Sequence, residues 1–166
     1  MAETIDAKRL PASVCFDTST LIAASDGRVR KDQEQACAPL LDALVSAKRP
    51  VLVAAPSFAE FLRKGPRTPS PHLAGIDVVA FDRLASELLA TKFPKHVLTQ
   101  YRDQSSKGKP PLDYIKYDAM IVACALRHKA EVFVTLDDDQ RRMAVNVGLK
   151  VAWPRDYMAP QQILIQ

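Results

Sequence analysis

The sequence predicts one three-layer α/β domain, a mostly parallel sheet covered by helices on both faces. Three observations point there. Five short apolar runs of strand length alternate with longer segments whose apolar residues recur at helical spacing. The runs are nearly continuous in apolar residues, the pattern of strands buried on both faces. A chain of 166 residues is long enough for one well-buried core and too short for two ordinary domains.

The first strand is expected over Ser13–Phe16, ending in the polar run Asp17-Thr18-Ser19-Thr20 and passing directly into a helix through Leu21 and Ile22. A polar, basic loop spans 26–32. A helix follows over 33–48, where Pro39 either kinks it or marks its true start. Val51–Ala54 is the second strand, and Pro56-Ser57 opens the next helix. The stretch 65–75 holds three prolines and reads as a loop. The third strand is Ile76–Phe81, followed by a helix through Leu84, Leu88 and Leu89 that Pro94 divides from a second piece reaching about Tyr101. After a basic loop over 104–111, Asp113–Lys129 is the longest clean helix signal, with Met120, Ile121, Cys124 and Ala125 on its apolar side. Glu131–Thr135, a helix over 138–147, and Leu149–Ala152 complete the pattern. The expected divisions are a polar extension over 1–12, the domain over 13–154 and a tail over 155–166.

Hydrophobic residues at 48% and charged residues at 25% describe a folded chain rather than a disordered one. No apolar run approaches a membrane span and Met1–Pro11 has no apolar signal core, so a cytoplasmic location is expected. Cys15, Cys37 and Cys124 are odd in number and widely spaced; Cys15 and Cys124 lie in apolar stretches and read as buried free thiols. The net charge of +4 is compatible with a polyanionic partner and decides nothing by itself.

The acids are more informative. In open α/β sheets chemistry gathers beyond the carboxyl ends of the strands. Asp17 stands at that end of the first strand, and Asp137, Asp138 and Asp139 at that end of the fourth. Glu60 lies one turn into the helix after the second strand, and Asp118 heads the apolar stripe of the long helix. Each has a capping alternative except Asp118, which falls inside its helix. Asp17 and Asp137–Asp139 stand where N-caps stand, and Ser57 with Glu60 matches a capping box. Jointly, four acids on one rim would repel one another without a cation. A divalent ion with a preference for oxygen ligands, Mg²⁺ or Mn²⁺, resolves that conflict and suits phosphodiester hydrolysis.

Four motifs in this order resemble the PIN-domain family, especially its VapC-type toxins: VCFDTSTLIAA at 14–24, APSFAEFL at 55–62, YDAMIVACAL at 117–126 and VFVTLDDD at 132–139. The resemblance implies a five-stranded parallel sheet between helices. It implies a metal site on Asp17, Glu60, Asp118 and Asp137, with Asp139 as an additional acid and Ser19 and Thr135 in support. It further implies a Mg²⁺- or Mn²⁺-dependent endoribonuclease leaving 5′-phosphate and 3′-hydroxyl ends, a homodimer, and a cognate antitoxin. The chain departs from the pattern after the last acid, where Gln140, Arg141 and Arg142 replace a common aromatic, and between Gly65 and Gly108.

RNA backbone contacts are expected from Arg28, Arg30, Arg63, Lys64, Lys107 and Lys109, against the alternative that these are solvated loop charges. Leu84, Leu88, Leu89, Phe93 and the tail Ile163-Leu164-Ile165 are candidates for a protein partner, with core packing as the alternative for the leucines. Neither a phosphate-binding G-x-x-x-x-G-K-[ST] loop, a dinucleotide G-x-G-x-x-G nor a G-x-S-x-G elbow is present, and His72, His96 and His128 share no metal-ligand spacing. The rival functions are a PIN-like module that binds RNA or protein without catalysis, and a housekeeping RNase with no antitoxin.

Overall fold

The computed structural model describes residues 4–25, 32–64 and 71–159. Strands β1 (Val14–Phe16), β2 (Val51–Ala54), β3 (Ile76–Val79), β4 (Val132–Val134) and β5 (Lys150–Ala152) form one sheet in the order β3-β2-β1-β4-β5. Every pairing is parallel, with Val14 registered against Val51 on one side and Val132 on the other. The short runs carry β-branched and aromatic residues that suit a sheet covered on both faces. β3 stops two residues before the predicted end at Phe81.

The helices are α1 (Thr18–Ser25), α2 (Asp32–Gln35), α3 (Cys37–Ser46), α4 (Ala55–Lys64), α5 (Arg83–Lys92), α6 (Lys95–Asp103), α7 (Leu112–Arg127) and α8 (Asp138–Asn146). Alternating strand residues feed two cores. Val14, Phe16, Val51, Val53, Val132 and Val134 pack with Leu21 of α1 and Leu40, Leu41 and Leu44 of α3. Cys15, Ala54 and Phe133 face the other way, into Ala85, Leu98, Ile121, Val122 and Met143 of α5 to α8. All three cysteines are buried and free, and for Cys15 and Cys124 that is the expected state. Among the described residues no helix is long and apolar enough to cross a membrane.

Two local differences from the sequence reading have physical causes. The segment 33–48 breaks at Ala36, and Pro39 lies in the first turn of α3, where its missing N–H has no intrahelical partner to lose. It therefore starts the helix and does not kink it. Helices α3 and α7 stop earlier than expected, because Lys48 and Lys129 take φ of 54°. Each closes a paired C-cap: Lys48 N–H donates to Val45 O and Arg49 N–H to Leu44 O; Lys129 N–H donates to Leu126 O and Ala130 N–H to Ala125 O. Gly148, at φ of 89°, ends α8 the same way through Leu149 N–H and Ala144 O. Three helix-to-strand turns thus share one device, and only one uses the residue that suits it. Replacing Lys129 with Gly is expected to raise stability by about 0.5–1 kcal/mol, read as a higher urea midpoint with an unchanged m-value. A lower midpoint would mean that the lysine side chain contributes more than the left-handed backbone costs.

Candidate active site

The strand order reverses direction at β1, so the carboxyl ends of β1 and β4 open a crevice between them. Asp17 leaves β1 there and caps α1, its Oδ1 accepting from Thr20 N–H at 2.9 Å. Its Oδ2 accepts from Ser19 Oγ at 2.6 Å and from Thr135 Oγ1 at 2.8 Å. Thr135 follows β4 and also accepts, through Oγ1, from Asp137 N–H at 2.9 Å. One hydroxyl therefore fixes the two acids of adjacent strands against each other. Asp17 is 1% exposed, and burial pushes its carboxyl above the ordinary range despite the hydrogen bonds from Ser19, Thr20 and Thr135.

Asp137 caps α8, its Oδ1 accepting from Asp139 N–H at 2.8 Å and Gln140 N–H at 3.3 Å, while its Oδ2 pairs with the Lys107 ammonium. Capping and site placement are thus one geometry for Asp17 and Asp137. The capping box at Ser57 and Glu60 does not form. α4 begins at Ala55, directly out of β2, so Ser57 lies inside the first turn with a buried Oγ that has no partner. Glu60 is left to face the crevice, paired with Lys64 at 2.5 Å.

Asp118 sits on the second turn of α7, half-buried, with Oδ1 accepting from Gln140 Nε2 at 2.8 Å. Burial first, and the Asp137 and Asp17 charges after it, push its carboxyl up to about 7 against the opposing pull of Gln140 and Lys107. Tyr117 OH donates to Pro56 O and so ties the Asp118 helix to the Glu60 helix. Asp139 turns away to the 104–111 loop, accepting from Ser105 Oγ at 2.5 Å, Arg142 Nη2 at 2.6 Å and Ser106 N–H at 3.5 Å. Burial opposes ionisation of Asp139, but the bonds from Ser105 and Arg142 outweigh it and lower its pKa.

Asp17, Glu60, Asp118, Asp137 and Asp139 line one open cavity of about 650 Å³ together with Ser19, Arg63, Lys64, Lys107, Gln140 and the exposed ring of Tyr114. Thr135 stands behind Asp17, and Lys109 lies outside the cavity lining. Arg28, Arg30 and the tail 163–165 fall outside the described residues. Of the apolar residues considered for a partner, Phe93 is in the core, Leu89 packs against it, and Leu84 is 46% exposed.

The acids share the cavity without closing on one point. Among the described residues no three acid, His or Cys side chains come together as a metal-holding set. Glu60, Asp137 and Asp118 are instead each engaged by a neighbour, Lys64, Lys107 and Gln140. The donor set nevertheless fits a hard divalent cation: all-oxygen ligands from four elements, with the buried Oε1 of Gln140 beside them lacking a hydrogen-bond partner. Gln140 and Lys107 are the partners of the cavity acids that spacing did not reveal in these roles. Gln140 has the sequence signal of an ordinary first-turn helix residue, and Lys107 reads as a loop cation.

Curated proteins give no significant match to this sequence. The family model described as the PIN domain matches residues 14–146, from the first residue of β1 to the last of α8. The matched span includes every acid of the cavity, and the chain belongs to the PIN domain family.

Proposed function

We propose that the protein is a divalent-metal-dependent endoribonuclease of the VapC type, the toxin of a toxin–antitoxin pair. PIN domains are typically metal-dependent nucleases, and the motif resemblance assigns the family's acids to Asp17, Glu60, Asp118 and Asp137. The observation that carries the reading is the convergence of Asp17, Glu60, Asp118 and Asp137, from four separate elements, on one cavity at the carboxyl edge of the sheet. Those four supply the oxygen ligands that Mg²⁺ or Mn²⁺ takes. Bound there, the ion supplies activation of a water and neutralisation of charge on a phosphate.

The remaining work belongs to the chain. Ser19 and Thr135 orient Asp17, and Gln140 orients Asp118. Arg63 and Lys64, at the end of α4, place positive charge on the cavity wall for the RNA backbone. The exposed Tyr114 ring on the same wall offers a face for an unpaired base. A homodimer and an antitoxin follow from the VapC-type reading alone.

A non-catalytic PIN-like module is the second reading, favoured by the pairing of Glu60 with Lys64 and Asp137 with Lys107. Incubation of the full chain with single-stranded RNA separates the two. Cleavage with Mg²⁺ or Mn²⁺, its loss with a chelator, and 5′-phosphate products are expected. Stoichiometric RNA binding without cleavage under either ion would establish the second reading. A short antitoxin-like reading frame beside the gene is expected for a toxin and not for a housekeeping RNase.

A further inference from the structure

Lys107 occupies an unusual position for a loop lysine. Its ammonium contacts Asp137 Oδ2, and Asp118 and Asp139 lie near enough to act on it electrostatically. The loop that carries it is fastened immediately before the contact. Ser105 Oγ donates to the buried Asp139, Arg142 Nη2 bridges Asp139 and Gln104 O, and Lys107 N–H donates to Ser105 Oγ at 3.2 Å. Asp139, tied up in this way, serves as the anchor of the lysine loop. The Lys107 side chain is 54% exposed, while its backbone is held through Ser105.

We propose that Lys107 is a tethered counter-cation of the acid cluster, which a divalent ion must displace from Asp137, so that this lysine sets the metal affinity of the site. The inference rests on the metal-dependent reading above. Two cations compete for one carboxylate. The ammonium is monovalent and its side chain is half-exposed, so its pairing is weak, whereas a divalent ion gathers several carboxylates at once. The anchored loop keeps the ammonium at high local concentration, so displacement does not remove it from the cavity. Uncharged replacement then acts in one direction only, toward tighter metal binding and a less stable metal-free site.

The test is titration of the full-length protein with Mn²⁺, following free Mn²⁺ by electron paramagnetic resonance at fixed ionic strength. Lys107→Met is expected to bind at least about fivefold more tightly than wild type, with Lys107→Arg close to wild type. Without metal, Lys107→Met should melt at a lower temperature than wild type, and Mn²⁺ should raise its melting temperature further. If Lys107→Met proves insoluble, Lys107→Gln replaces it, since it removes the same charge. Equal or weaker Mn²⁺ binding by a folded, uncharged variant overturns the inference while leaving the metal-dependent reading intact. Absence of Mn²⁺ uptake by both wild type and variant overturns the metal-dependent reading, and the lysine's role with it.

Discussion

Asp118→Asn is expected to abolish the proposed metal-dependent RNA cleavage and, in metal-free buffer near pH 8, to make the protein more stable. The two effects have one cause. Burial, reinforced by Asp137 and Asp17, raises the Asp118 carboxyl from 3.8 to about 7 in the folded protein. A raised carboxyl pKa means the fold favours the neutral form, so the stability that Asp118 contributes is greatest at low pH. That stability is lost as pH rises from the unfolded value through the folded one. Asn is neutral at every pH and still accepts from Gln140 Nε2, which bonds the same oxygen at 2.8 Å. The variant should gain about 1–3 kcal/mol above the folded pKa and nothing below about pH 4, because there both forms are uncharged. In a chain of this size that is a rise in melting temperature of roughly 2–4 °C per kcal/mol. Added Mg²⁺ should stabilise wild type and leave the variant nearly unchanged. Melting curves across pH, with and without Mg²⁺, check all of this. An Asn variant that unfolds, with cleavage surviving in its folded fraction, would show Asp118 to be a structural acid.

Much of this site was readable because topology does the placing. An acid within a few residues of the end of a buried parallel strand stands on the carboxyl rim, and a helix following it at once must be capped. Asp17 and Asp137 do both, so capping a helix and lining the cavity are compatible for each. The Glu60 capping box failed for a local reason: β2 runs into α4 with no intervening turn, which leaves no residue free to adopt a cap at Ser57. What periodicity could not give were contacts formed only when distant segments meet. Gln140 reaches Asp118 across 22 positions, and Lys107 reaches Asp137 across 30. Lys48 and Lys129 were illegible for a different reason, since a left-handed lysine carries no compositional mark.

Thr135→Val should damage the site more than its distance from the cavity suggests. Its Oγ1 donates to Asp17 Oδ2 at 2.8 Å and accepts from Asp137 N–H at 2.9 Å, so one atom holds both acids. Val keeps the shape and the β-branching but removes the hydroxyl from a fully buried position. Asp17, itself buried, then loses a donor, and the Asp137 N–H loses its acceptor. Leaving such groups unpaired costs about 1–3 kcal/mol of stability. The larger effect is on the acids: freed from a common partner, Asp17 and Asp137 lose their fixed separation. Loss of an orienting partner typically lowers metal affinity or activity by about 10–100-fold. Thr135→Ser restores the hydroxyl without the methyl group, so it should recover metal affinity while keeping a small packing deficit. Parallel Mn²⁺ titrations and urea melts of the two variants separate the contributions. Equal losses of Mn²⁺ affinity in Ser and Val would mean that the methyl group matters and the bridging hydroxyl does not.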